Sequence, residues 1–514
     1  SLSVPSTSTN NIINGAGIAN PSEGYEVWNV KSTTPTSISG GSVSGTTIGL
    51  SLNNFEGYSS DATDGAHATV SNLAITPVAS GTGIRLHDNP SSSNANVQLS
   101  IGAGVTVSGG TTGLRVENTS ASIVGGTLNN LSFTGTTGQY IDLVNNGGDL
   151  NATAASFNGQ TGMSASFIDL FNIENKINHK IENQALGFVT VKANNAYVTD
   201  INAGITSFNN DYTRIRNAVE LVSTGWSINL NGSFDWSAGL AAASWALGND
   251  EVAATGDDYG VLVPANLNGI TFTAPLGLTT ASIQGPGDVP TVNLEGVLYC
   301  DGAGDNQNWT ISNIEFLNFD MPLSMFNGAG GVDAYNGTTI TNNRFDIATD
   351  LNTVAAPLDP NQNIGIHYSF GANQTISNNI FNIPGDGVSS GVNYSTTVVM
   401  QSNTSGGSVY EGLLITGNTI NILNAQDAMN PQVVLGIWEN GHAHTSNITV
   451  SNNQFNNLSG SNIPALNLQR AFRVTSHSGA GSTVTYSGNT VNGANIGFQW
   501  ISGSSLPAHL CYYH

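Results

Sequence analysis

Apolar and polar positions recur in one short phrase between residues 311 and 491: an apolar residue, Ser or Thr, Asn or Gly, two variable positions and a second apolar residue. The six copies read ISNIEF (311–316), ITNNRF (340–345), ISNNIF (376–381), ITGNTI (415–420), VSNNQF (450–455) and YSGNTV (486–491). Their starts lie 29, 36, 39, 35 and 36 residues apart, too short a period for a domain and suited to one coil of chain stacked on the next. The fourth position is Asn343, Asn379, Asn418, Asn453 and Asn489 in five copies. Stacked coils superpose equivalent positions, so these residues predict an asparagine ladder. The sixth position predicts a buried stack of Phe316, Phe345, Phe381, Ile420, Phe455 and Val491.

A looser repeat occupies the first part of the chain. GTTIGLSL from Gly45 is echoed by GTGIRLHD from Gly81, GTTGLRVEN from Gly110 and GTTGQYIDL from Gly135, each a Gly-Thr turn feeding a short alternating strand. From Ser166 to Thr199 the pattern changes. Leu170, Ile173, Ile177 and Ile181 fall at helical spacing, with Ser166 or Asp169 placed to open the helix. Ile215, Ala218, Val219 and Val222 predict a second short helix, and residues 226–230 a strand. A helix there would cap the second solenoid, whose open end otherwise exposes strand edges and apolar core.

The fold class expected is therefore all-β, a right-handed parallel β-helix in two segments joined by a short helical connector, since parallel connections are overwhelmingly right-handed. The expected divisions are 1–165 for the first segment, 166–225 for connector and cap, 226–502 for the second segment and 503–514 for an irregular tail. The tail abandons the period without a clear polar cap, which reads as a frame cut from a longer protein.

Composition agrees. Only 9% of the 514 residues are charged and 61 are Gly, as suits strands and tight turns, while 39% apolar residues in a period argue against disorder. Eleven basic against 34 acidic residues give a net charge of -23, which repels phosphate backbones and anionic membranes, so no nucleic acid partner is expected. Cys300 and Cys511 cannot make a disulfide framework and lack metal-site spacing. Without a run of about 18 apolar residues, no membrane insertion is expected. An extracellular or cell-surface monomer fits these properties.

Two resemblances add to this. The stretch NKINHKIENQALGFVTVKANNAYVT (175–199) resembles a connector of very large secreted bacterial repeat proteins, where it precedes another β-helix module. The repeats after about Val261 resemble those of right-handed parallel β-helix proteins, carbohydrate-active enzymes and tailspikes. In those families the phrase is structural and implies no catalytic residue by itself.

Chemistry is sought on a lateral face, where strands of successive coils project side chains at about 4.8 Å intervals. The strands preceding the Asn turns include GIHY (365–368), LGIWE (435–439) and AFRV (471–474), a mixture of rings, carboxylate, imidazole and guanidinium that suits a sugar groove. The densest group is WENGHAH (438–444). Glu439 can act as acid or base, or join His442 and His444 on a metal, with Arg473 as a further catalytic candidate. His367, Trp438, His477 and Glu411 are candidates for substrate binding. The competing reading is a polar turn after a strand ended by Gly441. Asp301 and Asp305, in CDGAGDNQN, offer oxygens to Ca²⁺, although Asp and Asn are also default turn residues. Asp257, Asp258 and Asp386 carry the same discount.

Uronan lyases on this fold resemble one another in using Lys or Arg as base, often beside Ca²⁺. No Lys follows Lys192, which disfavours elimination and leaves paired carboxylates, with Glu411, Glu439 and Asp427 as candidates. No G-x-S-x-G elbow on a strand-to-helix turn is visible. The expected activity is hydrolysis of a polysaccharide, with no cofactor required and a divalent metal, Ca²⁺ or Zn²⁺, optional. The alternatives are a non-catalytic adhesin or surface-structural glycan-binding module, and a metal-assisted hydrolase of esters built on His442, His444 and Glu439.

Overall fold

The computed structural model describes residues 6–17, 22–28, 30–31, 33–54, 64–89, 96–200, 211–236, 261–264, 266–275, 281–285, 297–299, 307–319, 322–325, 336–348, 364–368, 373–383, 397–401, 412–423, 435–440, 448–458, 470–475, 484–494 and 496–501. Strands dominate them, with two α-helices, and the chain divides into two compact units, 1–209 and 210–514.

In the first unit the chain visits three sheets in the same rotation, strands of successive circuits pairing in parallel, while the short strand Val30–Lys31 pairs antiparallel with Asp64–Ser71. One sheet holds Glu23–Val27, Ile48–Asn53, Thr82–His87, Thr112–Glu117, Gln139–Val144 and Ile177–Asn178. The four Gly-Thr repeats lie here in register, Leu50 beside Ile84, Leu114 and Ile141. Those residues and Leu52, Leu86, Val116 and Leu143 are buried. The second glycine of the repeat has a packing role: a Cβ on Gly49, Gly83 or Gly113 would press on Ile75, Val107 or Phe133 from the neighbouring sheet. The fourth copy carries Tyr140 there, and its ring packs against Phe133 and Phe157.

Helix α1 (Phe167–Glu174) opens as the sequence requires. Ser166 Oγ accepts the Asp169 N–H and the Asp169 carboxylate accepts the Ser166 N–H, a reciprocal capping box. Leu170, Phe171 and Ile173 enter the first unit's core. The helical spacing does not extend to Ile177 and Ile181. The helix ends at Glu174, Ile177 pairs with Ile141 in the sheet, and Ile181 is buried in a turn.

The second unit repeats the rotation. Helix α2 (Asp211–Leu221) buries Ile215, Ala218 and Val219, and the nine-residue strand Ser227–Asp235 follows. The front of that strand pairs with Thr271–Thr273 and its rear with Ala281–Gln284. In the six phrase copies the strand is split, because the third position, Asn313, Asn342, Asn378, Gly417, Asn452 or Gly488, takes a left-handed backbone. Only Gly and Asn adopt that conformation readily, which explains the restriction seen in the sequence. A third sheet of eight strands runs from Val261–Leu262 to Ile496–Ile501.

The asparagine ladder is present. Nδ2 of Asn343, Asn379, Asn418 and Asn453 donates to Oδ1 of the next member at 3.1, 3.0, 2.9 and 3.0 Å. Each Nδ2 also donates to a backbone carbonyl, from Ile311 for Asn343 through Val450 for Asn489. Each Oδ1 from Asn379 onward accepts the preceding ladder residue's N–H as well. The members from Asn379 to Asn453 thus fill all four amide bonding positions, as burial demands. Beside them Phe316, Phe345 and Phe381 stack at 5.1 and 4.8 Å, continued by buried Ile420 and Phe455. Val491 is in register but only half-buried, because Thr490–Asn492 is the end strand of its sheet.

Candidate functional site

In the eight-stranded sheet, parallel pairing sets one row from Tyr299 through Ser324, His367, Met400, Trp438 and Arg473 to Gln499. The adjacent row holds Leu298, Leu323, Ile366, Val399, Ile437, Phe472 and Phe498, of which Leu298, Leu323, Ile366 and Phe472 are buried. His367, Trp438 and Arg473 therefore share the strand parity opposite a buried row. Glu439 is one residue further on, in the row of Val474 and Trp500 and two positions after Ile437. The strand ends at Asn440, just before Gly441. His442, His444, His477, Glu411, Asp301 and Asp305 lie outside the described residues, as do Asp257, Asp258, Asp386 and Asp427.

Among the described residues a second polar face lies in the first unit. Arg85, Arg115, Asp142 and Asn178 occupy one row of the Gly-Thr repeat sheet, and His87 and Glu117 the next polar row. Glu117 Oε2 accepts from Arg85 Nε and His87 Nδ1, both at 2.7 Å, and its Oε1 accepts from Arg115 Nε at 2.6 Å. Arg115 also reaches Asp142 Oδ2 at 3.1 Å, and Asn178 Nδ2 donates to Asp142 Oδ1 at 2.9 Å. Burial pushes the Glu117 carboxyl up, but its bonds to both guanidiniums and their charges prevail and hold it below the usual carboxylate range. Glu23 on the same sheet goes the other way. Burial, then the charge of Glu26, raises it against a hydrogen bond from Ser51 and the charge of Arg85.

A carboxylate tied to two guanidiniums is a weak proton donor and a shielded base. The network joins four circuits and offers an ordered polar surface, with no poised acid and base pair. It was not singled out from the sequence, although aligning RLHD, RVEN and DLVN brings Arg85, Arg115 and Asp142 to one position.

A second missed group lies inside the connector. His179 is fully buried, with Nε2 2.6 Å from Glu174 Oε1 and 3.5 Å from Glu182 Oε2. Its Nδ1 accepts the Val189 N–H at 3.0 Å, which places the proton of a neutral ring on Nε2, directed at Glu174. Glu182 Oε2 accepts the backbone N–H of His179. Closed to solvent, these groups clasp the connector and hold no substrate. Burial, then the charge of Glu174, pushes the nearby Tyr197 phenol up.

Among the described residues no group of three His, Cys, Asp or Glu is arranged to hold a metal ion, and no helix is long and apolar enough to cross a membrane. Searches against protein-family models, curated proteins and solved structures found no match.

Proposed function

We propose that both units are right-handed parallel β-helices of the kind found in carbohydrate-active enzymes and tailspikes, and that the protein is an extracellular or cell-surface hydrolase of polysaccharide. The rotation of the chain through three parallel sheets supports the solenoid. The observation that supports the functional reading is the register row shared by His367, Trp438 and Arg473. An aromatic ring for a pyranose face, with imidazole and guanidinium for its hydroxyls, is the chemistry a sugar subsite uses. In this reading Glu439, with His442 and His444, supplies the acid and base, and His477 and Glu411 serve as further substrate contacts. Neither a Ca²⁺ held by Asp301 and Asp305 nor a zinc on the histidines is required.

The test is turnover by the purified chain on a panel of neutral and acidic glycans and simple esters, with and without chelator. Glycan hydrolysis abolished by Glu439→Gln at unchanged melting temperature supports the proposal, and full activity in that variant overturns it. Chelator-sensitive ester cleavage lost with His442→Ala and His444→Ala would favour the metal-assisted reading instead. The alternative of a non-catalytic adhesin has its own support. The polar face around Glu117 has its carboxylates committed to ion pairs. Glycan binding without turnover on any substrate would establish it.

A further inference from the structure

The strands that carry the Phe stack bear a second row of amides on their other side. Asp346, Asn382, Asn421, Asn456 and Asn492 stand in register, each one residue beyond the stacked Phe345, Phe381, Ile420, Phe455 and Val491. Asn492 Nδ2 donates to Asn456 Oδ1 at 2.9 Å, Asn456 to Asn421 at 3.1 Å and Asn421 to Asn382 at 3.0 Å. Asn382 then donates to Asp346 Oδ1 at 2.6 Å, and Arg344 Nε donates to the same oxygen at 2.9 Å. The chain of amides is thereby anchored at a carboxylate that is itself ion-paired.

The two ladders differ in what remains unused. An amide offers two N–H donors and two acceptor lone pairs. The buried ladder fills them. In the outer one Asn421 and Asn456 each use one N–H and one lone pair along the row, leaving one donor and one acceptor per residue. These residues are half-buried and Asn492 is exposed, so the remaining groups face solvent at about 4.8 Å intervals.

We propose that Asn382, Asn421, Asn456 and Asn492 form a binding strip for an uncharged polysaccharide lying along the direction in which the strands stack. A sugar hydroxyl is at once donor and acceptor, so a pair of neighbouring hydroxyls matches the donor and acceptor that each amide has left. The hydrogen bonds along the row fix the amide orientations before any ligand arrives, which lowers the ordering cost of binding. Ionised polymers fit less well: the strip is neutral, Asp346 stands at its end, and the protein carries a net charge of -23. The row lies on a sheet face with strands paired on both sides of its central members, so an extended peptide has no free backbone edge to join there. The assignment deepens the polysaccharide reading by naming a neutral glycan and a site separate from the row of Trp438.

The experiment measures retention of the full chain on neutral glucan, mannan and xylan and on an acidic uronan, by affinity electrophoresis at low salt and at about 1 M salt. The strip predicts retention on at least one neutral glycan that survives high salt. Asn421→Thr with Asn456→Thr, which keeps strand-forming residues, should weaken it about tenfold, consistent with losing two or so hydrogen bonds to ligand. Circular dichroism melting checks the fold, and the single variant Asn456→Ser, expected to show a smaller loss, serves if the double variant unfolds. Equal retention of parent and folded ladder variants, or retention confined to uronan at low salt, overturns the strip. Loss of retention in the ladder variants with turnover of short soluble substrates intact supports it, and retention without any turnover rejects the hydrolase alone.

Discussion

The buried amide ladder of the second unit and the charged network of the first both tie successive circuits together through side chains, yet they obey opposite rules. In the ladder each interior member repeats the same bonds, fully buried, from one neighbour to the next. In the network every position differs: Arg85, Arg115 and Asp142 follow one another in one row, and a single Glu117 serves both arginines and His87. A buried polar group without a partner is costly, so a buried row tolerates no exception and imposes a strict period. The network tolerates mixed residues because its half-buried arginines and His87 can turn to water, while the buried Glu117 and Asp142 carboxylates draw their partners from within it.

The largest test of this contrast is Asn379→Ala. It strands the Asn343 N–H, the Asn343 side-chain N–H and the Ile340 carbonyl at once. At roughly 1–3 kcal/mol for each buried group left unsatisfied, a loss of about 3–6 kcal/mol is expected in denaturant unfolding. A shift below about 1 kcal/mol would mean that the ladder is incidental to stability. Phe381→Ala comes next, at about 3–5 kcal/mol, because it opens a cavity beside a ring stacked at 4.8 Å on Phe345. If this variant melts with the parent, the stack is not a core.

The charged face should respond to pH instead, and with two signs. Glu117 has a lowered folded pKa, so its contribution is complete above the unfolded value of about 4.3 and is lost as pH falls through the lower folded value. Glu23 has a raised folded pKa, so it costs stability as pH rises from the unfolded value through the folded one. Melting curves between about pH 3 and 7 should therefore show Glu117→Gln destabilising near neutrality, with a flatter acid limb, and Glu23→Gln stabilising there. The same sign for both substitutions would show that burial and ion pairing have been wrongly apportioned.

What the sequence disclosed follows from the same contrast. The buried ladder, the Phe stack and the Gly-Thr strands were legible because stacking forces identical residues to recur. The outer row was hidden although Asn382, Asn421, Asn456 and Asn492 recur at the phrase period, because Asp346 breaks it and the phrase ends one residue earlier. The Glu117 network has no repeating residue type to notice, and the His179 clasp depends on one turn of chain folding back on Glu174. Helical spacing misled at Ile177 because strand and helix patterns coincide over a few apolar residues, and pairing with Ile141 decided the outcome. For the lateral face, sequence gave the strands, while pairing added that Trp438 and Arg473 share a row and that Glu439 belongs to the next one.

The smallest effect concerns the turn that makes the phrase a corner. Gly417 has φ 69°, where four of the other five copies place Asn and the last places Gly488. A Cβ at Gly417 would also lie 2.5 Å from Asn378 Oδ1, the side chain leaning across from the preceding circuit. Gly417→Ala meets both obstacles, and the left-handed backbone alone costs roughly 1–2 kcal/mol for an ordinary residue. Gly417→Asn meets only the contact, since Asn tolerates this conformation through its own short polar side chain, and Asn342 already stands before Asn378 in that geometry. Denaturation midpoints should therefore rank parent, Asn and Ala in falling order, with the Asn variant closer to the parent. Equal losses for Asn and Ala would assign the restriction to crowding by Asn378, and Gly at this position would then be a packing choice and not a conformational one.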